Sequence, residues 1–266
     1  MRTIAVMNQK GGVGKTTTAV NVSAALAASG AKVALIDLDP QAHASLHFGV
    51  TFEAEFPSVY DVLVNDEPLS AVRRQIAENL WLIPAHLDLA AADFELASVF
   101  GREMILRDKI AADDMQFDYI IVDCPPSLGV LTLNALSAVE EVFIPLQPHF
   151  LALHGLSKLL QTVELVSKRL NPKLRVSGVV LCMFESRATL AKEVAGDVRA
   201  FFEKRGDDST WSDAVVFETC IRRNVRLAEA PSFGQSIFDY DPRSNGAEDY
   251  GALVKEIVAM RPNGDA

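Results

Sequence analysis

Cysteine is scarce. The chain has three, Cys124, Cys182 and Cys220, far apart and without a C-x-x-C pair. That excludes a disulfide framework and a cysteine-held metal cluster, and it fits inert thiols in a reducing cytosol. Basic charge is also in deficit: 25 Lys and Arg stand against 35 Asp and Glu, for a net charge of -10. A wholly basic nucleic-acid coat is excluded, so any contact with nucleic acid must use a local patch on an acidic body. No uncharged apolar run approaches the roughly 20 residues needed to span a bilayer. A strand is expected from residue 3, which leaves no room for the charged and apolar regions of a secretory leader. Linkers, repeats and low-complexity tracts are missing too. The expectation is a soluble, cytoplasmic chain with one domain over residues 1–266, for whose core a hydrophobic content of 49% is ample.

What is present is organised around the first crossover. An apolar run over residues 3–7 breaks into Asn8-Gln9-Lys10-Gly11-Gly12-Val13-Gly14-Lys15-Thr16-Thr17 and continues into a helical pattern. That is a strand, a phosphate loop and a helix. Glycines at 11, 12 and 14 let successive backbone N–H groups turn toward one point, where the helix also presents its positive dipole end, so an anion belongs there. Lys15 adds a point charge for the β and γ phosphates, and the Thr16 hydroxyl is placed to ligate a magnesium ion bridging them. Lys10, Gly11, Gly12, Val13, Gly14, Lys15, Thr16 and Thr17 are the expected binding residues for ATP and Mg2+. The common phosphate-loop pattern has glycine where this chain has Gln9, and a second lysine, Lys10, precedes the double glycine.

Residues 16–29 read as an alanine-rich helix stopped by Gly30. A second strand over 32–36 ends in Asp37-Leu38-Asp39-Pro40-Gln41. In an open parallel sheet ligands bind beyond the carboxyl ends of strands, which brings Asp37 and Asp39 toward the phosphate loop. Asp39, beyond the strand, is the better catalytic candidate; the alternative is a turn or helix cap before Pro40. Residues 117–123 form a strand apolar enough to be buried on both faces, ending in Asp123, which can hold the magnesium shell opposite Thr16.

The remaining pattern gives a short helix over 58–64, a strand over 80–84, a strand over 141–145, a helix over 151–170 and a strand over 176–183. Residues 87–112 carry Leu89, Phe94, Leu96, Val99, Met104, Leu106 and Ile110 at roughly helical spacing. They predict one long amphipathic helix, or two broken near Gly101, packing the core. The alternation predicts an α/β fold: a doubly wound, mostly parallel sheet with helices on both faces and right-handed crossovers. Beyond it, Arg187 in one loop and Arg222, Arg223 and Arg226 in another supply one local basic patch, or else are solvated or cap helix ends.

The run KGGVGKT resembles the deviant Walker A motif of the ParA/MinD family of ATPases. Asp37 to Gln41 resembles the family's DxDPQ switch, and DCPPSLG from Asp123 resembles its second switch. The run from Ile221 to Ser232 is similar to the IPRNVRLAEAPS segment of chromosomal ParA (Soj) proteins, and YDPRSNGAEDY continues the likeness, so that it covers nearly the whole chain. Arg222 stands where that segment has proline, and Ala42-His43 stands where the family usually has Gly-Asn.

The resemblance implies a partition ATPase. Lys10 reaches across a homodimer interface to the partner's nucleotide, joining Lys15 and Asp39 in catalysis, with Asp39 orienting the attacking water. Arg187 and Arg226 carry sequence-independent binding of double-stranded DNA by the ATP-bound dimer on the nucleoid, and a ParB-like adaptor stimulates an otherwise weak hydrolysis. Dimerisation doubles the phosphate contacts, which makes it a workable switch. No helix-turn-helix precedes the loop, so operator recognition is not expected.

Four other readings compete. A ParA-like ATPase positioning a protein cargo, such as an organelle, a chemoreceptor cluster or cellulose-synthesis machinery, shares every motif. A MinD-like membrane ATPase needs a basic amphipathic tail, whereas residues 250–260 contain one base, Lys255, before the closing residues 261–266. A metabolic P-loop ligase needs a substrate pocket that no motif marks, and a nitrogenase-iron-protein-like cluster needs two cysteines near the switch loops, where only Cys124 lies.

Overall fold

The computed structural model describes residues 1–51, 56–150, 152–203 and 209–260. Its strands are β1 Arg2–Val6, β2 Val33–Asp37, β3 Arg74–Ala77, β4 Leu80–Ile83, β5 Tyr119–Asp123, β6 Glu141–Leu146, β7 Arg175–Phe184, β8 Val215–Val216 and β9 Ile221–Arg222. They lie in the order β3-β4-β2-β5-β1-β6-β7-β8, with β9 on β7. Every pairing is parallel except β3 with β4. The α-helices are α1 Lys15–Ala28, α2 His43–His47, α3 Val59–Val64, α4 Leu69–Val72, α5 Ala92–Glu95, α6 Ile105–Ala111, α7 Val130–Ala138, α8 Ala152–Arg169, α9 Thr189–Glu203, α10 Val225–Glu229, α11 Ile237–Tyr240 and α12 Asn245–Ala259.

Away from their charged ends the central strands are almost wholly apolar because both faces are covered. Ile120 and Val122 of β5 enter one core cluster while Ile121 enters the other; β2 divides in the same way, with Ala34 and Ile36 against Val33 and Leu35. This is the period-2 alternation of a strand read into two cores. Helix α1 packs with α12 on one face, and α7 with α8 on the other. Because α1 and α7 leave for opposite faces, a crevice opens beyond the carboxyl ends of β1 and β5.

The expected doubly wound, mostly parallel sheet is the observed one. Residues 87–112 differ from expectation. They form short 3₁₀ and α pieces, with Gly101 at φ 71° breaking the path. Leu89, Leu96 and Leu106 are buried, but Phe94 is 86% exposed and Val99 43%, so those two do not pack the core. The reason lies at Asp93, whose Oδ1 accepts from Val130 N at 2.7 Å and caps α7; that contact turns the short helix so that the adjacent Phe94 faces outward. The expected helix over 151–170 is found as Ala152–Arg169, and position 151 lies outside the described residues, as do the closing residues 261–266. The short strands β3, β8 and β9 had no counterpart in the sequence pattern.

Candidate functional site

The phosphate loop leaves the end of β1 between β5 and β6. Met7 N donates to Phe143 O at 3.1 Å and Asn8 Nδ2 to Pro145 O at 2.8 Å, while Asn8 Oδ1 accepts from Lys10 N at 3.0 Å. Asn8 thus pins the loop to β6 and starts its turn. Gly12 and Gly14 have φ of 73° and 94°, a left-handed backbone that costs a residue with a Cβ roughly 1–2 kcal/mol. Gly14 caps α1 without a side chain to bond the first-turn N–H groups, and there is no acidic residue in that turn. The N-terminus of a 14-residue helix is left with donors that its own cap does not satisfy.

The two loop lysines take opposite attitudes. Lys15 is buried, and its amine turns inward to donate to Lys10 O at 3.3 Å. Lys10 is exposed, and its amine donates to His149 Nε2 at 2.6 Å, outside the loop. Burial, then the Lys10 charge, holds the His149 pKa below the usual imidazole value, consistent with a neutral ring accepting that bond.

Opposite the loop, Asp37 and Asp123 stand side by side in the β2–β5 register, both fully buried. Asp37 is saturated: Oδ2 accepts from Ser45 N at 2.8 Å and Ser45 Oγ at 2.7 Å, and Oδ1 accepts from Asp39 N at 3.2 Å. Ser45 Oγ in turn accepts from Ala85 N at 2.9 Å. Asp37 therefore positions α2 and the turn that carries Asp39. Burial still outweighs these bonds and lifts its pKa to about 6. Asp123 has no such support, because neither carboxylate oxygen meets a donor in hydrogen-bonding geometry. Burial, then the charge of Asp37, pushes its pKa well above the carboxylate range, with the Thr16 hydroxyl working against them. A buried, unpaired carboxylate is costly. A divalent cation at Thr16 and Asp123 would remove that cost, and the donor set is all oxygen, as magnesium requires. Among the described residues no three His, Cys, Asp or Glu side chains form a self-sufficient metal cage, which suits an ion completed by ligand oxygens and water.

Asp39 lies 8% exposed at the same edge. Its Oδ1 accepts from Gln41 N at 2.9 Å and its carbonyl from Ala42 N at 2.8 Å. The expected turn-capping geometry is present, and one carboxylate oxygen remains for other contacts.

Beside the loop lies a cavity of ≈ 430 Å³, lined among others by Gly14, Thr17, Met183, Asn224, Val225 and Tyr250. Met183 has φ 52°, a strained backbone of the kind that collects at ligand sites. The sequence motifs did not mark this cleft; the signal available was that β7 ends there, on the carboxyl edge where ligands bind.

The four arginines gather around the same flank. Arg222 donates to Asp249 from Nε and Nη2, at 2.9 and 2.6 Å, and to Glu248 at 2.6 Å, so its charge is spent inside the chain. Arg223 pairs with Glu185 at 3.1 Å. Arg226 pairs with Glu229 at 2.8 Å and Asp241 at 3.4 Å. Arg187 is exposed.

A glycine-turned loop at the head of a helix, facing strand-end carboxylates on a doubly wound sheet, defines a P-loop nucleotide-binding fold. A family model described as an AAA domain matches residues 1–176. The chain is 47% identical over 257 residues to the sporulation initiation inhibitor protein Soj of Bacillus subtilis, covering 96% of this chain and 98% of that one. It is 45% identical over 258 residues to the chromosome partitioning protein ParA of Myxococcus xanthus, covering 97% and 88%. Among solved structures, cobyrinic acid a,c-diamide synthase from Mycobacterium smegmatis with bound ATP analog and magnesium superposes with a TM-score of 0.81 at 36% identity, over 97% of this chain and 94% of that one. The chain belongs to the ParA/Soj family of chromosome-partitioning ATPases.

Proposed function

We propose that this chain is an ATP-dependent partition switch. Its ATP- and magnesium-bound form is a face-to-face homodimer that binds double-stranded DNA without sequence preference on the nucleoid, and an adaptor of the ParB kind releases it by stimulating hydrolysis. The observation that carries the reading is the division between the two loop lysines. Lys15 folds into its own loop, whereas Lys10 lies exposed on His149 and points away from it. An amine in that position serves a phosphate held by a second copy better than one held by its own.

Within each copy the uncapped N-terminus of α1, with Gly11, Gly12, Val13, Gly14 and Thr17, cradles the phosphates, and Lys15 balances the β and γ oxygens. The base takes the cleft beside Gly14 and Met183. Thr16 and Asp123 hold magnesium, which when bound neutralises charge on the β and γ oxygens. Asp39 orients the attacking water, on a turn that Asp37 and Ser45 keep in place. Arg226 and Arg187, with Arg223 beside them, meet DNA phosphates, and each phosphate neutralised adds to a salt-dependent affinity.

The test is sizing by light scattering with ADP, ATP or a slowly hydrolysed ATP analogue plus magnesium, with and without random-sequence duplex DNA. The expected result is a two-copy species with the analogue, absent in Lys10→Ala, and DNA retention by that species alone. A protein that stays a single copy with analogue and magnesium removes the switch. DNA retention unchanged by Arg226→Ala removes the DNA assignment.

A further inference from the structure

The surface assigned above to DNA carries too little free positive charge to do that work as it stands. Three of its guanidiniums, of Arg222, Arg223 and Arg226, are paired with five carboxylates: Glu185, Glu229, Asp241, Glu248 and Asp249. Each of these pairs must loosen before its guanidinium can meet a DNA phosphate in full, and bringing two copies together does not by itself loosen any of them.

The five carboxylates are not equivalent. Asp249 is buried, and it accepts from Arg222 N as well as from the guanidinium; it is part of the seam between β9 and α12. Glu229 and Asp241 are 39% and 34% exposed and close on Arg226 from two sides. Glu229 is held in that position by a second donor, Tyr240 Oη, at 3.0 Å. Arg226 sits on α10, five residues long. Val225 and Leu227 of the same helix, and Asn224 that caps it, line the cleft beside the phosphate loop. What fills the cleft and what frees Arg226 therefore act on one short element.

We propose that Glu229 and Asp241 are an internal mask on Arg226. They hold its guanidinium in the nucleotide-free chain, and they set how far DNA affinity rises when the cleft is filled. This rests on duplex DNA being the partner of the flank. In this arrangement the acidic residues supply the off state and the arginines supply the affinity.

Retention of a random-sequence duplex is measured by fluorescence anisotropy across a salt series for the full chain, without nucleotide and with a slowly hydrolysed ATP analogue plus magnesium. Glu229→Gln and Asp241→Asn keep the acceptor oxygens and remove the charge. The double variant is expected to bind about three- to tenfold tighter than the parent without nucleotide, with a steeper salt dependence, and to show a smaller gain on adding the analogue. Glu67→Gln combined with Glu78→Gln, which removes two exposed negative charges at the β3 edge of the sheet, far from the arginines, is the control for net charge and is expected to leave affinity unchanged. Masking is overturned if the nucleotide-free double variant binds no tighter than the parent, or if the Glu67→Gln, Glu78→Gln control tightens binding as much. Thermal melts establish that each variant is folded, and either single variant suffices if the double is not. Arg226→Ala separates the two ideas: if it binds DNA as the parent does with the analogue, the DNA reading fails; if it loses binding while the mask variants do nothing, only the mask fails.

Discussion

Charge is arranged in opposite ways at two places on the carboxyl edge of the sheet. At the ends of β2 and β5 the carboxylates are buried and left unbalanced: Asp37 is saturated by hydrogen bonds yet still has a raised pKa, and Asp123 has no partner in hydrogen-bonding geometry. At the end of β9 the arginines are exposed or half-exposed, and internal carboxylates cancel them. A buried imbalance cannot be relieved by solvent, so it demands a ligand cation and makes binding part of the fold's own stability. An exposed, cancelled pair is worth little either way. The first region gains stability from a bound cation; the second can give up its pairs at little cost to the fold.

The strongest test of this contrast is Asp123→Asn. An amide fits the space without a buried charge, so the nucleotide-free protein is expected to melt higher than the parent. Magnesium should no longer add to the stabilisation that ATP gives, and hydrolysis should fall by on the order of a hundredfold. Arg226→Ala should move neither melt. If magnesium stabilised the Asp123→Asn chain as well as the parent, the unbalanced carboxylate would not be the metal's seat and the contrast would break.

His47 tests the same distinction by pH. Its ring is 2% exposed at the end of α2, near Gln235 in the segment that follows the arginine helix, and burial lowers its pKa to about 4 from an ordinary 6.5. A depressed pKa means that folding favours the neutral ring. The stability it contributes is complete above pH 6.5 and is lost as pH falls from 6.5 toward 4. At about 1.4 kcal/mol per pH unit, the loss reaches about 3 kcal/mol at most. Asp37 runs the other way, since its raised pKa makes folding gain stability as pH falls from 6 toward 4. The difference between parent and His47→Gln isolates the ring: in urea unfolding it should shrink over that window, and parallel curves would show that His47 does not titrate as a buried group. The exposed Arg226–Glu229 pair should leave that pH dependence untouched.

The two regions also differed in how far the sequence disclosed them. The loop was legible residue by residue, because three glycines and two lysines within six positions encode its geometry locally. The strand ends were legible because apolar runs closing in Asp37 and Asp123 are local too. The arginine flank was legible only as residues. Their cancellation depends on Asp249, 27 positions from Arg222, and on Glu185, 38 positions from Arg223, and no periodicity reports such distances. The cleft was missed for the same reason, as Gly14, Met183 and Asn224 meet only through the β1–β6–β7 pairing and the β9 edge. The outward turn of Phe94 follows from a cap made 37 positions away by its neighbour Asp93. Local chemistry was readable, and tertiary pairing was not.

The smallest expected effect sits between Asp39 and α2. Ala42 has φ 51° and ψ 35°, left-handed for a residue with a Cβ, and is fully buried. Glycine, which the family usually has there, would relieve roughly 1–2 kcal/mol of backbone strain. Against this stand about 0.5–1 kcal/mol for the extra freedom of glycine in the unfolded chain and about 0.8 kcal/mol for the lost buried methyl. The terms nearly cancel, so Ala42→Gly should melt within a few degrees of the parent. A clearly higher melt would show that the turn carrying Asp39 stores strain that the methyl does not offset, which would place stored energy beside the unbalanced carboxylates as well as charge. A clearly lower one would show that the methyl's packing under β2 is what holds Asp39 in place.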